Sequence, residues 1–155
     1  MSNVYVVFSK VQDSDYLASV SMNDFLSSGK DLEPILKRAA RIYGAAIEQM
    51  TLAIVDIRSY KKTKKKFLPA RHIWELGDQI FILISNLEAL GLQFDRLYEH
   101  LERDLNVKRK WLEKVIILRR YLPDINMIPE SLNWGKCEKG TRRVAEQLLT
   151  SSIKR

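Results

Sequence analysis

A chain of 155 residues is long enough to bury one hydrophobic core, and 46% hydrophobic with 29% charged residues is an ordinary globular composition. No apolar run exceeds the five residues of Ile80–Ile84, far short of the about 20 that a membrane-spanning helix needs. The single cysteine, Cys137, excludes an internal disulfide framework and a zinc cluster built on thiolates.

The formal charge of +7 is unevenly spread, with net −2 over residues 1–57 and net +9 over 58–155. Lys61 to Arg71 holds six cations and no acid, residues 72–104 swing to −5, and residues 105–123 return to +5. Blocks of this kind predict separate basic and acidic surfaces, with a polyanion as the leading partner and a merely solvated lysine-rich surface as the alternative. The first ten residues lack the positive start and cleavage site of a secretory signal, so the cytoplasm is the expected compartment, with no membrane partner.

In chain order, Val4 to Phe8 is β-branched and aromatic and predicts a short strand or an extended arm. Residues 9–30 are rich in Ser, Asp and Asn and predict loop, with one helical turn near Met22 to Leu26. Asp31 is placed to cap a helix that tolerates Pro34 in its first turn. Leu32, Ile35, Leu36, Ala39, Ile42, Tyr43, Ala46, Ile47, Met50, Ala53, Ile54 and Ile57 then recur at spacings of three and four. They form one face of a long helix over 31–60, although β-branching at 51–57 leaves a strand open there. After the lysine connector, Pro69 predicts a helix start, and Ala70 to Leu90 a second long helix closed by Gly91. Because Ile80 to Ile84 is apolar all round, that helix is expected at the centre of the core and packed on the first. Further helices are predicted over 94–105 and 108–122, the latter stopped by Pro123. Loop with a short helix follows over 124–140, then a last helix over 141–153.

Catalytic machinery is sparse. His72 and His100 stand in different predicted helices and outside any metal-ligand spacing, and no phosphate-cradling glycine loop or nucleophile elbow occurs. Arg96 and His100 are separated by three residues, where the helical ribonuclease pattern needs four to six. A non-enzymatic protein without cofactor or metal is therefore expected.

The informative segment is 94–122, two short helices joined at Asn106-Val107 in the manner of a helix-turn-helix unit. Asn106 stands where the turn needs a left-handed residue, and Leu101, Leu105, Val107, Leu112 and Val115 where the unit wants apolar contacts. Glu102 departs from the pattern, because a small residue normally lets the helices approach there. The second helix carries Lys108, Arg109, Lys110, Lys114, Arg119 and Arg120 against one acid, Glu113. Lys108 to Lys110 would meet anions at its N-terminal end, and Lys114 and Arg119 would contact phosphates. Trp111 either packs in the core, the commoner fate, or stacks on a nucleotide.

In order along the chain come Trp74-Glu75-Leu76-Gly77, Ile80, the Leu-rich helix 97–105, Trp111-Leu112 through Arg119-Arg120-Tyr121-Leu122-Pro123-Asp124, and Ser131-Leu132-Asn133-Trp134. This succession resembles the helical N-terminal domain of some PDDEXK-type nucleases of restriction and mobile-element systems. There a Trp-x-x-Gly helix precedes a helix-turn-helix-like pair, a Phe-Pro-like stop and a Leu-Ser-Trp-like element. Here Leu132-Asn133-Trp134 departs from the last motif, and Cys137-Glu138-Lys139 has no counterpart. The resemblance covers residues 70–135 and implies the nucleic-acid-binding half without the cutting half. By size, charge and helicity the chain is also similar to the small helical subunits of CRISPR effector complexes, which line a groove for guide–target duplex or displaced strand.

The expected fold is an all-α bundle of about five helices with a short N-terminal strand or arm, forming one helical domain over 1–155. Within it lie the arm or loop 1–30, the long helix 31–60 and a basic helical part 69–155 containing the unit 94–122. The expected function is nucleic-acid binding, to DNA or RNA, within a defence or mobile-element system or, alternatively, as one subunit among others of a ribonucleoprotein complex. An adaptor docking a basic protein partner on residues 72–104 is the competing class. Besides the six cations of the second helix, the expected contacts are Lys61, Lys62, Lys64, Lys65, Lys66, Arg71, Lys136, Lys139, Arg142 and Arg143.

Overall fold

The computed structural model describes residues 5–12, 15–20, 32–62, 67–91, 93, 94 and 96–153. The turn expected at 22–26, the cap Asp31, and Lys64, Lys65 and Lys66 lie outside them. In order come β1 (Tyr5–Gln12), β2 (Asp15–Val20), α1 (Glu33–Lys62), α2 (Ala70–Glu88), β3 (Gln93–Phe94), α3 (Leu97–Leu105), α4 (Arg109–Tyr121), the short α5 (Trp134–Cys137) and α6 (Thr141–Ile153). The chain is thus mostly helical with an N-terminal hairpin. Its contacts form two compact units, one of Met1–Gln49 with Phe81–Asn106, the other of Met50–Ile80 with Val107–Arg155.

The hairpin corrects the loop expected over 9–30, since β1 runs on to Gln12 and β2 occupies Asp15–Val20. The two pair antiparallel with Phe8 opposite Ala18, and β1 also pairs parallel with β3, Val6 opposite Phe94. Val6, Phe8 and Tyr16 are buried while Val7, Val11 and Leu17 are exposed, the period of two that a half-buried strand requires. The third helix was expected from 94. Phe94 instead belongs to the sheet, Arg96 takes a left-handed φ of 54°, and α3 starts at Leu97.

α3 completes the sheet edge that β3 begins. The backbone N–H of Phe8 donates to His100 Nε2 at 3.2 Å, and the Phe8 carbonyl accepts from Arg103 Nη2 at 3.0 Å. Because Nε2 accepts, the His100 proton sits on Nδ1, which donates to the Arg96 carbonyl 2.7 Å away. The Phe8 ring stacks on Tyr43 of α1 at 4.1 Å and on Phe94 at 5.6 Å. Tyr43 is fully buried, and its hydroxyl donates to the Asp104 carboxylate, itself 3% exposed. Arg103 grips that carboxylate through two 2.9 Å hydrogen bonds. Burial, and then the Asp104 carboxylate, push the Tyr43 phenol far above its ordinary value, so it serves as a permanent donor.

Both long helices form as their periodicity predicts. α1 buries Ala39, Tyr43, Ile47, Met50, Ile54 and Ile57, with Leu32 buried just before it, and its β-branched stretch 51–57 is helical. Its last turns meet the start of α2, where His72 Nδ1 lies 3.8 Å from Asp56 and the His72 ring stands edge-on to Tyr60. α2 buries Leu76, Ile80, Leu83 and Leu87, whereas Ile82 is 52% exposed, so it buries one stripe and not the whole circumference. Its end is closed by Gly91 at φ 77°, whose N–H donates to the Glu88 carbonyl.

In the second unit α2 receives α4 on three consecutive contacts. Trp74, 8% exposed, donates its indole N–H to the Leu122 carbonyl at 2.6 Å. Arg119 lies over the Trp74 ring, 5.1 Å from its centroid, and pairs with Asp78 at 2.9 Å. Between them Gly77 lets the helices touch, because a Cβ there would stand 2.8 Å from Arg119 Cβ and 2.9 Å from the Val115 carbonyl oxygen. The obstacles are a backbone atom and a stem carbon, neither of which can swing aside. Gly77→Ala is therefore expected to destabilise by about 1–3 kcal/mol, despite alanine's better helix propensity. A urea titration giving an equal or higher midpoint than the parent would refute the close approach.

Candidate nucleic-acid interface

A helix, a left-handed turn residue and a second helix follow one another over Leu97–Tyr121, the first beginning three residues later than the expected 94. Asn106 adopts the left-handed conformation, φ 54° and ψ 54°, and its N–H closes α3 on the Glu102 carbonyl. Lys108 is the extended N-cap of α4, without a side-chain cap hydrogen bond, and Leu122 ends the helix before Pro123. Leu101, Leu105, Leu112 and Val115 are all buried, while Val107 and Glu102 are partly exposed.

α6 packs along α4 in the second unit. Between them runs a shallow groove of about 410 Å³, with Lys114 and Ile117 on one wall and Glu138 to Arg143 with Glu146 on the other. The second wall is rigidly placed. Asn133 caps α5 by accepting from the Gly135 N–H at 3.3 Å, and the Thr141 hydroxyl donates to the Cys137 carbonyl at 3.0 Å. Leu68 is tied to the start of α5 by two further bonds, Leu68 N–H to Asn133 Oδ1 at 3.2 Å and Trp134 N–H to the Leu68 carbonyl at 2.7 Å. Leu68, just before α2, therefore lies beside α5, the helix that bears Lys136.

The expected contact residues divide by what they already hold. Arg119 is bound to Asp78 and its side chain is 18% exposed, so it is engaged in the α2–α4 contact. Arg71 donates to the Ile128 carbonyl at 2.7 Å and to Glu130 at 3.3 Å, another fold contact. Arg109 pairs with Glu113, and Arg142 with Glu146 while lying over the Tyr121 ring. Lys108, Lys110, Arg120, Lys136, Lys139 and Arg143 are exposed and Lys114 is partly exposed, and none of the seven has an ion-pair partner among the described residues. Lys61 and Lys62 belong to the last turn of α1. The groove thus gathers Lys114, Lys139 and Arg143, with Lys110 one turn before Lys114 on the same row of α4. The sequence listed these cations without showing that α4 and α6 bring them together. It did carry one usable signal: an acid four residues after Arg109 and Arg142 marks the cations that are already paired.

The charge also sorts between the units. The second contains nineteen Lys and Arg against eight Asp and Glu, a formal +11, and the first seven against eleven, a formal −4. The acidic block 72–104 is divided between them, and Asp78 and Asp104 are occupied internally.

Among the described residues no cluster of His, Cys, Asp or Glu could hold a metal ion, and no helix is long and apolar enough to cross a membrane. Cys137 is fully buried, and burial pushes its thiol up to about 11, so it stays protonated at neutral pH. A thiol reagent at pH 8 should accordingly label the native chain far more slowly than the urea-unfolded chain. Equal rates would show the thiol to be accessible. No protein-family model, no curated protein and no solved structure matches the chain.

Proposed function

We propose that this chain binds nucleic acid and catalyses no reaction, holding phosphates along the α4–α6 groove and the adjoining start of α4. The observation that carries the reading is a set of cations without acidic partners among the described residues, Lys114, Lys139 and Arg143 lining one groove and Lys108 and Lys110 at the start of α4, in a unit of formal charge +11. Packing does not require cations at these exposed or partly exposed positions, and each is left available for a phosphate. Binding of this kind draws its affinity from counterion release and needs no catalytic group. A place in a defence or mobile-element system, alone or as one subunit of a ribonucleoprotein complex, rests on the resemblance of residues 70–135 and on size and charge. The cytoplasm is the compartment this reading implies.

The test replaces Lys110, Lys114, Lys139 and Arg143 together by Ala and measures fluorescence anisotropy of labelled DNA and RNA. Affinity is expected to fall on the order of 100-fold at moderate salt, with an unchanged melting temperature. The matching change at Lys10, Lys37, Arg38 and Arg41, in the first unit, should have a far smaller effect. Equal losses from the two sets would remove the groove from the account.

A further inference from the structure

We propose, on the reading that the groove binds nucleic acid, that the bound strand is single and that one of its bases stacks on the indole of Trp111. Three tryptophans are present, and two are spent on packing, with Trp74 8% and Trp134 4% exposed. Trp111 is only partly buried, and its indole has no hydrogen bond or ring contact among the described residues. It sits in the first turn of α4 with Lys108 three residues before it and Lys114 three residues after it. That spacing puts a cation one turn away on either side of the ring.

A ring bracketed by cations suits an unstacked base whose flanking phosphates are neutralised on both sides. In a duplex the base faces are covered by their neighbours, and a ring on the side of a helix would reach only base edges.

The experiment titrates the full chain with unstructured single strands of about 12 nucleotides, oligo-thymidine and oligo-uridine, and with a DNA duplex of equal phosphate count. Anisotropy reports binding and tryptophan emission reports stacking. The single strands should quench emission in step with binding, and Trp111→Ala should weaken them about tenfold while leaving the duplex unchanged. Trp111→Phe, which keeps an aromatic face, should retain most of the affinity. Duplex binding at least as tight as single-strand binding, or a Trp111→Ala variant that binds single strands like the parent, overturns this proposal and leaves nucleic-acid binding standing. Absence of salt-sensitive binding to every ligand instead overturns nucleic-acid binding itself, and this inference with it.

Discussion

Trp74→Ala is expected to cost about 3–5 kcal/mol, because the indole does three jobs at the α2–α4 contact. It fills a buried site at 8% exposure, caps the Leu122 carbonyl at the end of α4, and supports the Arg119 guanidinium. Truncation opens a cavity, leaves a buried carbonyl without its donor, and exposes the Arg119–Asp78 pair to water. In a chain of this length the melting temperature should drop by about 8–15 °C. Trp74→Phe fills most of the cavity but restores no hydrogen bond, so it should recover only part of the loss. Nucleic-acid affinity per folded molecule should hold in both. A variant that melts like the parent yet loses its ligand would transfer Trp74 from the core to the interface.

The second large effect belongs to the other unit. Asp104 is a buried carboxylate that accepts from Tyr43 and is gripped by Arg103, which also holds the Phe8 carbonyl. Asp104→Ala strands a buried phenol hydroxyl and unpairs the guanidinium, at an expected cost of about 3–5 kcal/mol. Asp104→Asn keeps an acceptor for Tyr43 and should cost less. The loss should be felt at β1 first, as faster amide exchange at Phe8, since Arg103 no longer has a carboxylate to hold it in place. An Asp104→Ala variant within about 1 kcal/mol of the parent would mean that the network contributes little to folding.

What the sequence disclosed follows from how local each signal is. The helices of 33–62 and 70–88 are written in apolar periodicity, and Asn106 and Gly91 each mark a left-handed turn that few other residues tolerate. Gly77 was legible as a close-approach site because a helix interior rarely accepts glycine without a packing reason. β2 was not legible, because Asp15, Ser19 and the short alternation of Tyr16, Ala18 and Val20 read as loop until Phe8 and Tyr43 supply partners from distant segments. Arg119 misled for the same reason, since its carboxylate lies 41 residues earlier in the chain. The separation of charge between the units was hidden as well, because each unit is assembled from two stretches and no sequence window samples either whole.

The division also changes where an adaptor role would be sought. Residues 72–104 form one acidic block in the sequence, but Asp78 serves the basic unit and Asp104 the buried Tyr43 network. The groove of the first unit, lined by Leu17, Ala18, Leu36 and Ala40 with Glu33, Lys37 and Arg41, carries a net charge of only +1, and Glu33 pairs with Lys37. The concentration of cations without acidic partners in the second unit favours a polyanion over a protein partner.

The salt dependence of binding tests that central claim most directly. Anisotropy titrations of the parent chain between about 50 and 200 mM salt should give a line of log affinity against log salt. With about five phosphates neutralised by Lys108, Lys110, Lys114, Lys139 and Arg143, its slope should be about −4. A slope near zero, or no binding to DNA or RNA at the lowest salt, would contradict the account.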